Sequence, residues 1–417
     1  MNAGHIAVPP IQHIAAALRC TTDRLGRELN APARDPPGWS EFEWDIARAS
    51  AALHGVSSLL HARLTWSGPP SWRAFLETQR FHSLERDRKI AAILAEVDAG
   101  LARQGVVAVA LKGAVLRANG LYARGERPMG DVDLLIISGD RAAVPRALES
   151  CGYEHAFGIR RHEVFRPLPR AGAGPAGMRP AARLGEHVDD PIKIEVHTRI
   201  AEQLPVAEVD ITGHLRPAEM RPGINAYPSD AALMLHLLLH AAGNMRARAL
   251  RLIQLHDIAL LAARFSAGDW DALLGLCASG RAPWWAFPPT ALTARLYRSA
   301  IPDTVLTRMA SVCPPRLMRH ALRRGVSDVS WSKVRIEAFP GVEWARTLRE
   351  TLTLMRGRIW PGREARAELR EGAAQIPGSA LVPWYGISHG ARMARWIFSR
   401  PPRVQTILSV HAALLRE

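Results

Sequence analysis

Two aspartates one residue apart, Asp131 and Asp133, open an apolar run that continues through Leu134, Leu135, Ile136 and Ile137. Strand side chains alternate between faces, so the two carboxylates share one face while Val132 and Leu134 share the other. Carboxylates held side by side at the start of a buried strand repel each other. A divalent cation removes that repulsion, and hard oxygen ligands suit Mg2+. Upstream, a second apolar run, Val106 to Leu111, ends in Lys112-Gly113. A glycine at a strand-to-helix junction lets backbone N–H groups and a helix N-terminus approach a phosphate. Ala114 to Tyr122 reads as that helix, and Gly125-Glu126-Arg127-Pro128 as a basic turn leading into the aspartates. Together these pieces point to a metal-dependent phosphate site.

Other residues offer supporting chemistry. Ile192-Lys193-Ile194-Glu195-Val196-His197 alternates apolar and polar residues, the pattern of a half-buried strand with one functional face. Lys112 can act as a mobile point charge on phosphate, and Arg127 can reach phosphate with its planar fork. His197 sits beside Glu195, where it can orient the carboxylate or meet substrate. His236 and His240 lie four apart on one helix, a spacing that can present two imidazoles to zinc. The glutamate of the zinc proteases is absent and no third ligand is evident, so packed or pocket-facing histidines are expected there. No Ser/His/Asp or Cys/His arrangement favours a hydrolase.

These residues resemble the nucleotidyltransferase superfamily (polymerase-β-like), whose core is a strand, a glycine turn, a helix and a strand bearing Asp-x-Asp. Leu111-Lys112-Gly113-Ala114-Val115-Leu116, Leu121-Tyr122 and Arg127-Pro128-Met129-Gly130-Asp131-Val132-Asp133-Leu134-Leu135 resemble more closely the bacterial group known as nucleotidyltransferase family 5. The close match covers residues 111–137, and a weaker one continues near His240 to Asp257. The resemblance implies a third carboxylate on a later strand, which Glu195 fits, with Asp189 and Asp190 as nearby rivals. It implies Asp131, Asp133 and Glu195 as catalytic residues and ligands of two Mg2+ ions, with Mn2+ as the alternative, and an NTP as substrate. One ion would lower the pKa of an acceptor hydroxyl, and the other would clamp the triphosphate. Lys112, Gly113, Arg127, Lys193, His197, His240 and Arg251 are the implied nucleotide-binding residues, with Asp257 a further pocket candidate. The superfamily usually follows the glycine with Ser; Ala114 stands here, so no hydroxyl is available to phosphate.

The implied function is transfer of a nucleotidyl group, AMP before others, from an NTP to a hydroxyl or phosphate of a small molecule, peptide natural product or protein. A nucleotide-sugar-like donor is an alternative. An RNA- or tRNA-directed enzyme is another, because Gly113 to Arg117, Arg127-Pro128 and Asp131-x-Asp133 echo the CCA-adding enzymes. The Gly-Gly and Arg-Asp pairs of that family are missing, so nucleic acid is the less favoured partner. A catalytically silent binding protein is disfavoured by the presence of all three carboxylates.

The elements that must position these residues are mostly helical. Residues 1–95 read as a helical N-terminal region, 96–200 as the catalytic core, 201–330 as a helical domain completing the pocket, and 331–417 as a helical C-terminal region. The expected class is α+β, with a small mixed sheet flanked by helices. Within it, Asp140 to Cys151 reads as a helix, Ser229 as the N-cap of a helix from Asp230 to Ala242, and Met245 to Phe265 as another helix. Pro167 to Gly185, rich in Pro, Gly, Ala and Arg, reads as an inserted loop. Near the C-terminus, Arg392, Arg395, Trp396 and Ile397 pose a choice between a surface-binding amphipathic helix and ordinary packing, and packing is expected.

A chain of 417 residues can hold two or three domains. A net charge of +15 favours an anionic partner. Only four of the basic residues are lysines, Lys89, Lys112, Lys193 and Lys333, and two of them fall at the proposed site. The four cysteines are scattered without zinc or disulfide spacing. The N-terminus lacks the features of a signal peptide and no apolar run is long enough to span a bilayer, so a cytoplasmic protein is expected.

Overall fold

The computed structural model describes residues 9–159, 162–168, 183–278, 283–362, 366 and 388–415. The inserted loop expected at Pro167 to Gly185 lies mostly outside these.

Four helices come first: α1 (Ile11–Asn30), α2 (Glu41–His54), α3 (Ser57–Arg63) and α4 (Pro70–Arg103). α2 starts at a capping box, in which Ser40 accepts from the Glu43 N–H and Glu43 accepts from the Ser40 N–H at 2.9 Å. α4 carries a proline in its first turn, where the missing N–H costs nothing. It runs unbroken through residues 95 and 96.

The core follows. β1 (Val107–Ala110) leads through Lys112-Gly113 into α5 (Gly113–Ala118), then β2 (Asp131–Ser138), α6 (Ala143–Ser150), β3 (Tyr153–Ile159), β4 (His162–Pro167) and β5 (Lys193–His197). α6 is shorter than the helix expected from Asp140, because the Asp140 carboxylate caps the Ala142 N–H at 2.9 Å in a turn ahead of it. β6 (Ala201–Leu204) and β7 (Ala207–Asp210) form a separate hairpin, and β8 (Gly223–Asn225) completes the sheet. The sheet order is β3-β4-β5-β2-β1-β8. β2 pairs parallel with β5, β1 parallel with β8, and the other neighbours antiparallel. The mixed sheet flanked by helices matches the expected fold class. The expectation that residues 201–330 are helical fails at β6, β7 and β8. These strands are three or four residues long, too short to show an alternation.

The later helices are α7 (Asp230–Ala247), α8 (Leu252–Ala262), α9 (Ala267–Ala278), α10 (Phe287–Leu296), α11 (Asp303–Val312), α12 (Pro315–Arg323), α13 (Leu348–Ile359), α14 (His389–Phe398) and α15 (Val404–Leu414). Ser229 caps α7 by accepting from the Ala232 N–H at 3.2 Å. The single helix expected from Met245 to Phe265 is broken. α7 continues to Ala247, Arg248 takes a left-handed φ of 59°, and α8 begins at Leu252. No Gly or Pro marks this break. Arg248 instead bonds Glu343 at 2.8 Å and Glu337 at 3.0 Å, and this buried pairing holds the turn.

One apolar core joins the parts. Leu25 and Leu60 from the N-terminal helices, Val109 and Leu134 from the sheet, and Leu235 and Leu255 from α7 and α8 belong to a single buried cluster. At the C-terminus, Trp396 is buried beneath Arg358, whose guanidinium lies 4.3 Å from the ring centroid. Val410 and Ala413 of α15 pack with Ile14 of α1 and Ile46 of α2. Trp396 and α15 are therefore packed elements. Among the described residues, no helix is long and apolar enough to cross a membrane.

Candidate active site

The site is built on two parallel strands in register. Asp131 of β2 lies opposite Lys193 of β5, and Asp133 opposite Glu195. Period-two alternation then puts Asp131, Asp133, Lys193, Glu195 and His197 on one sheet face. β4 runs antiparallel to β5 with His162 opposite His197, which adds a second imidazole to that face. The rivals Asp189 and Asp190 lie in the loop ahead of β5; the Asp190 carboxylate caps the His187 N–H at 3.2 Å.

Asp133 is buried and receives two donors on one oxygen. Lys112 Nζ lies 2.9 Å and His197 Nε2 3.0 Å from its Oδ1. Burial alone would raise this carboxyl, but Lys112 and the His197 hydrogen bond outweigh it and hold Asp133 well below the carboxylate range. Asp131, at the open first position of the strand, is raised by partial desolvation and then by the Asp133 charge. Burial, then Asp133 and Asp131, push Glu195 up to about 7. Burial opposes the Lys112 charge, yet the aspartates raise its pKa, so the ammonium persists at neutral pH. Three carboxylates beside one ammonium form an excess-acid cluster, and hard carboxylate oxygens suit a divalent cation.

The turn carrying Lys112 is strained. Its φ of 48° and ψ of −118° are rare for a residue with a Cβ, a cost of about 1–3 kcal/mol. The Tyr227 hydroxyl meets the Lys112 backbone and bonds His236 Nδ1 at 2.6 Å. Burial drives His236 well below its ordinary pKa, so the ring that meets Tyr227 is neutral. On the same helix, burial and then the Lys112 charge lower His240 to about 3. Its Nε2 is 3.1 Å from Asn244 Nδ2. Neither histidine shares a metal cluster with the other among the described residues.

Gly113 follows Lys112, and its need for glycine is steric. A Cβ there would collide with Arg127 Nη1 and approach Met129 Sδ to 2.8 Å. Arg127 is clamped from α8: its Nε and Nη2 donate to the two oxygens of Asp257 at 2.9 and 2.8 Å. The Tyr122 hydroxyl donates to the same carboxylate at 2.6 Å. This bidentate pair fixes the guanidinium plane and leaves Nη1 over the glycine turn. Arg251 lies nearby, its Nε donating to the Leu53 carbonyl at 3.0 Å. Burial lowers its pKa, Arg127 adds to the fall, and Glu186 and Asp131 oppose it.

Two residues escaped the sequence analysis. His162, the first residue of β4, lies outside every motif that carries the sequence reading. Arg86 of α4 is one of many arginines, yet it is almost fully buried. It donates to the carbonyls of Met129 at 3.0 Å and Asp190 at 2.7 Å, and pairs with Glu186 at 3.1 Å. One guanidinium thus ties the turn before β2 to the loop before β5. Its only sequence signal is a cationic residue at an inward position of the helix.

A profile of the family described as "Uncharacterised nucleotidyltransferase" matches residues 40–298. The chain belongs to this nucleotidyltransferase family. No curated protein and no solved structure matches the chain. The family match begins at the capping serine of α2 and ends just past α10, so it includes the whole sheet, Arg86 and Asp257. A nucleotidyltransferase takes a nucleotide donor, and nucleotidyl transfer is the activity of this protein.

Proposed function

We propose that the protein transfers a nucleotidyl group, AMP before others, from an NTP to a hydroxyl or phosphate of a small-molecule, peptide or protein acceptor, in the cytoplasm. The observation that carries the reading is the in-register pairing of Asp133 with Glu195, which gathers three carboxylates on one face beside Lys112. Asp131, Asp133 and Glu195 would hold divalent cations, Mg2+ by their oxygen chemistry. Bound there, such ions acidify an acceptor hydroxyl and offset charge on the phosphates.

The chain's own groups account for the rest. Arg127, locked by Asp257, and Lys112 supply positive charge beside the glycine turn, where the donor's phosphates would lie. Lys193 borders the same face at the open end of β5. The acceptor oxygen attacks the α-phosphorus as the bond to the bridging oxygen breaks and pyrophosphate leaves. The acceptor proton passes to a Glu195 oxygen free of the ion, and a bound ion lowers the pKa of about 7 that the metal-free carboxyl has. Arg251, at the N-cap of α8, and His240 of α7 would complete the nucleotide pocket.

The test is turnover of α-labelled NTPs with Mg2+, followed by pyrophosphate release and label transfer to candidate acceptors. Label transfer by the wild-type protein but not by Asp131→Asn supports the reading. Equal transfer by both removes it.

A further inference from the structure

We propose that the Glu195 side of the site is a nitrogen-liganded metal position, formed by His162, Glu195 and His197, that selects a zinc-like transition-metal ion over Mg2+. His162 Nε2 lies 3.5 Å and His197 Nε2 3.9 Å from Glu195 Oε2. The three donor atoms all lie within 4.8 Å of one another. Donors bound about 2.1 Å from one ion sit roughly 3–3.5 Å apart, so a small inward shift closes this set around a single cation. Asp133 Oδ1, 3.0 Å from His197 Nε2, holds that nitrogen's proton in the metal-free site, and an ion bound at Nε2 replaces the proton.

The backbone makes the arrangement specific. His162 and His197 are opposite residues of the antiparallel β4–β5 pair, and their ring centroids are 4.9 Å apart. Cross-strand partners project to the same face, so both imidazoles reach the carboxylate between them. The sheet order β4-β5-β2-β1 sets this pair on the side of the aspartates away from Lys112. A cation there avoids the ammonium that neutralises Asp133. Mg2+ demands near-octahedral oxygen and seldom takes imidazole, whereas Zn2+ and Co2+ bind it readily. Asp131 and Asp133 keep the all-oxygen chemistry suited to Mg2+. The face therefore offers two chemically different positions.

The inference deepens the metal reading above and rests on its placing a cation at Glu195. Its test uses Co2+ as probe on the intact protein, by calorimetry and visible absorption. The wild type is expected to bind Co2+ at least tenfold more tightly than Mg2+, with absorption stronger than that of the aqueous ion. In His162→Gln, Co2+ affinity falls at least tenfold while Mg2+ affinity stays within twofold. Should this variant not fold, His162→Asn, smaller at the same partly exposed position, repeats the measurement, and the wild-type spectrum needs no variant. Equal Co2+ affinity in wild type and variant overturns the proposal, as does an unchanged aqueous spectrum on wild type. NTP binding measured on the same samples separates the two claims. Co2+ binding that depends on His162 without NTP binding keeps the metal position and removes the proposed donor, and the reverse result does the opposite.

Discussion

The guanidinium of Arg127 occupies the space that a side chain on Gly113 would fill. The glycine of the strand-to-helix turn is therefore required by a cation as much as by a phosphate. Gly113→Ala must displace Arg127, Met129 or the turn itself. We expect kcat/KM to fall at least about tenfold, equal to about 1.4 kcal/mol of transition-state stabilisation. Steady-state kinetics at varied NTP checks this, and wild-type kinetics in the alanine variant would contradict it.

Arg127 owes its position to Asp257. Removing one partner of a buried ion pair costs about 3–5 kcal/mol, because the other charge is left unpaired. Asp257→Asn should lower the thermal midpoint and raise KM for the NTP, and Arg127→Lys should not restore the fork, since a lysine cannot donate bidentately. A KM unchanged in both variants would separate Arg127 from donor binding.

Arg86 joins the turn before Asp131 to the loop before Lys193 through four backbone carbonyls, those of Met129, Gly130, His187 and Asp190. Arg86→Gln leaves most of these acceptors unmet in the interior. The expected loss is about 3 kcal/mol or more, since hydrogen bonds to charged groups contribute about 1.5–3 kcal/mol each. Denaturant unfolding measures it, and a loss below about 1 kcal/mol would show that the turn holds without this residue.

Glu195 makes the metal-free fold sensitive to pH. Its folded pKa, about 7, lies above the ordinary glutamate value of 4.5. The folded state thus binds more protons than the unfolded state between these values, and stability falls as pH rises through that window. Glu195→Gln removes the charge. It should raise the thermal midpoint at pH 8 and change it little at pH 4.5, in the absence of divalent metal. A midpoint at pH 8 equal to wild type would contradict the raised pKa.

The sheet face was legible because its signals are local. Asp131-x-Asp133 and Lys193-x-Glu195-x-His197 each write the period of a strand, and alternation alone assigns their faces. What joins them is non-local. The sequence does not say that β2 and β5 pair in register, or that β4 brings His162 opposite His197. It hides Arg86 among the arginines of a long helix. It hides the break at Arg248 as well, because a left-handed residue held by Glu337 and Glu343 leaves no Gly or Pro to mark it. The short strand β8 shows the same limit: three residues between turn signals carry no periodicity.

The most direct measurement is calorimetric titration of ATP, GTP, CTP and UTP, each with and without Mg2+, into wild type and Asp133→Asn. Loss of the carboxylate removes metal-assisted charge stabilisation worth several kcal/mol, about a thousandfold in rate. The account predicts that one NTP binds the wild type only with Mg2+, and that this binding disappears in the variant. Mg2+-dependent binding of equal affinity in Asp133→Asn would contradict it.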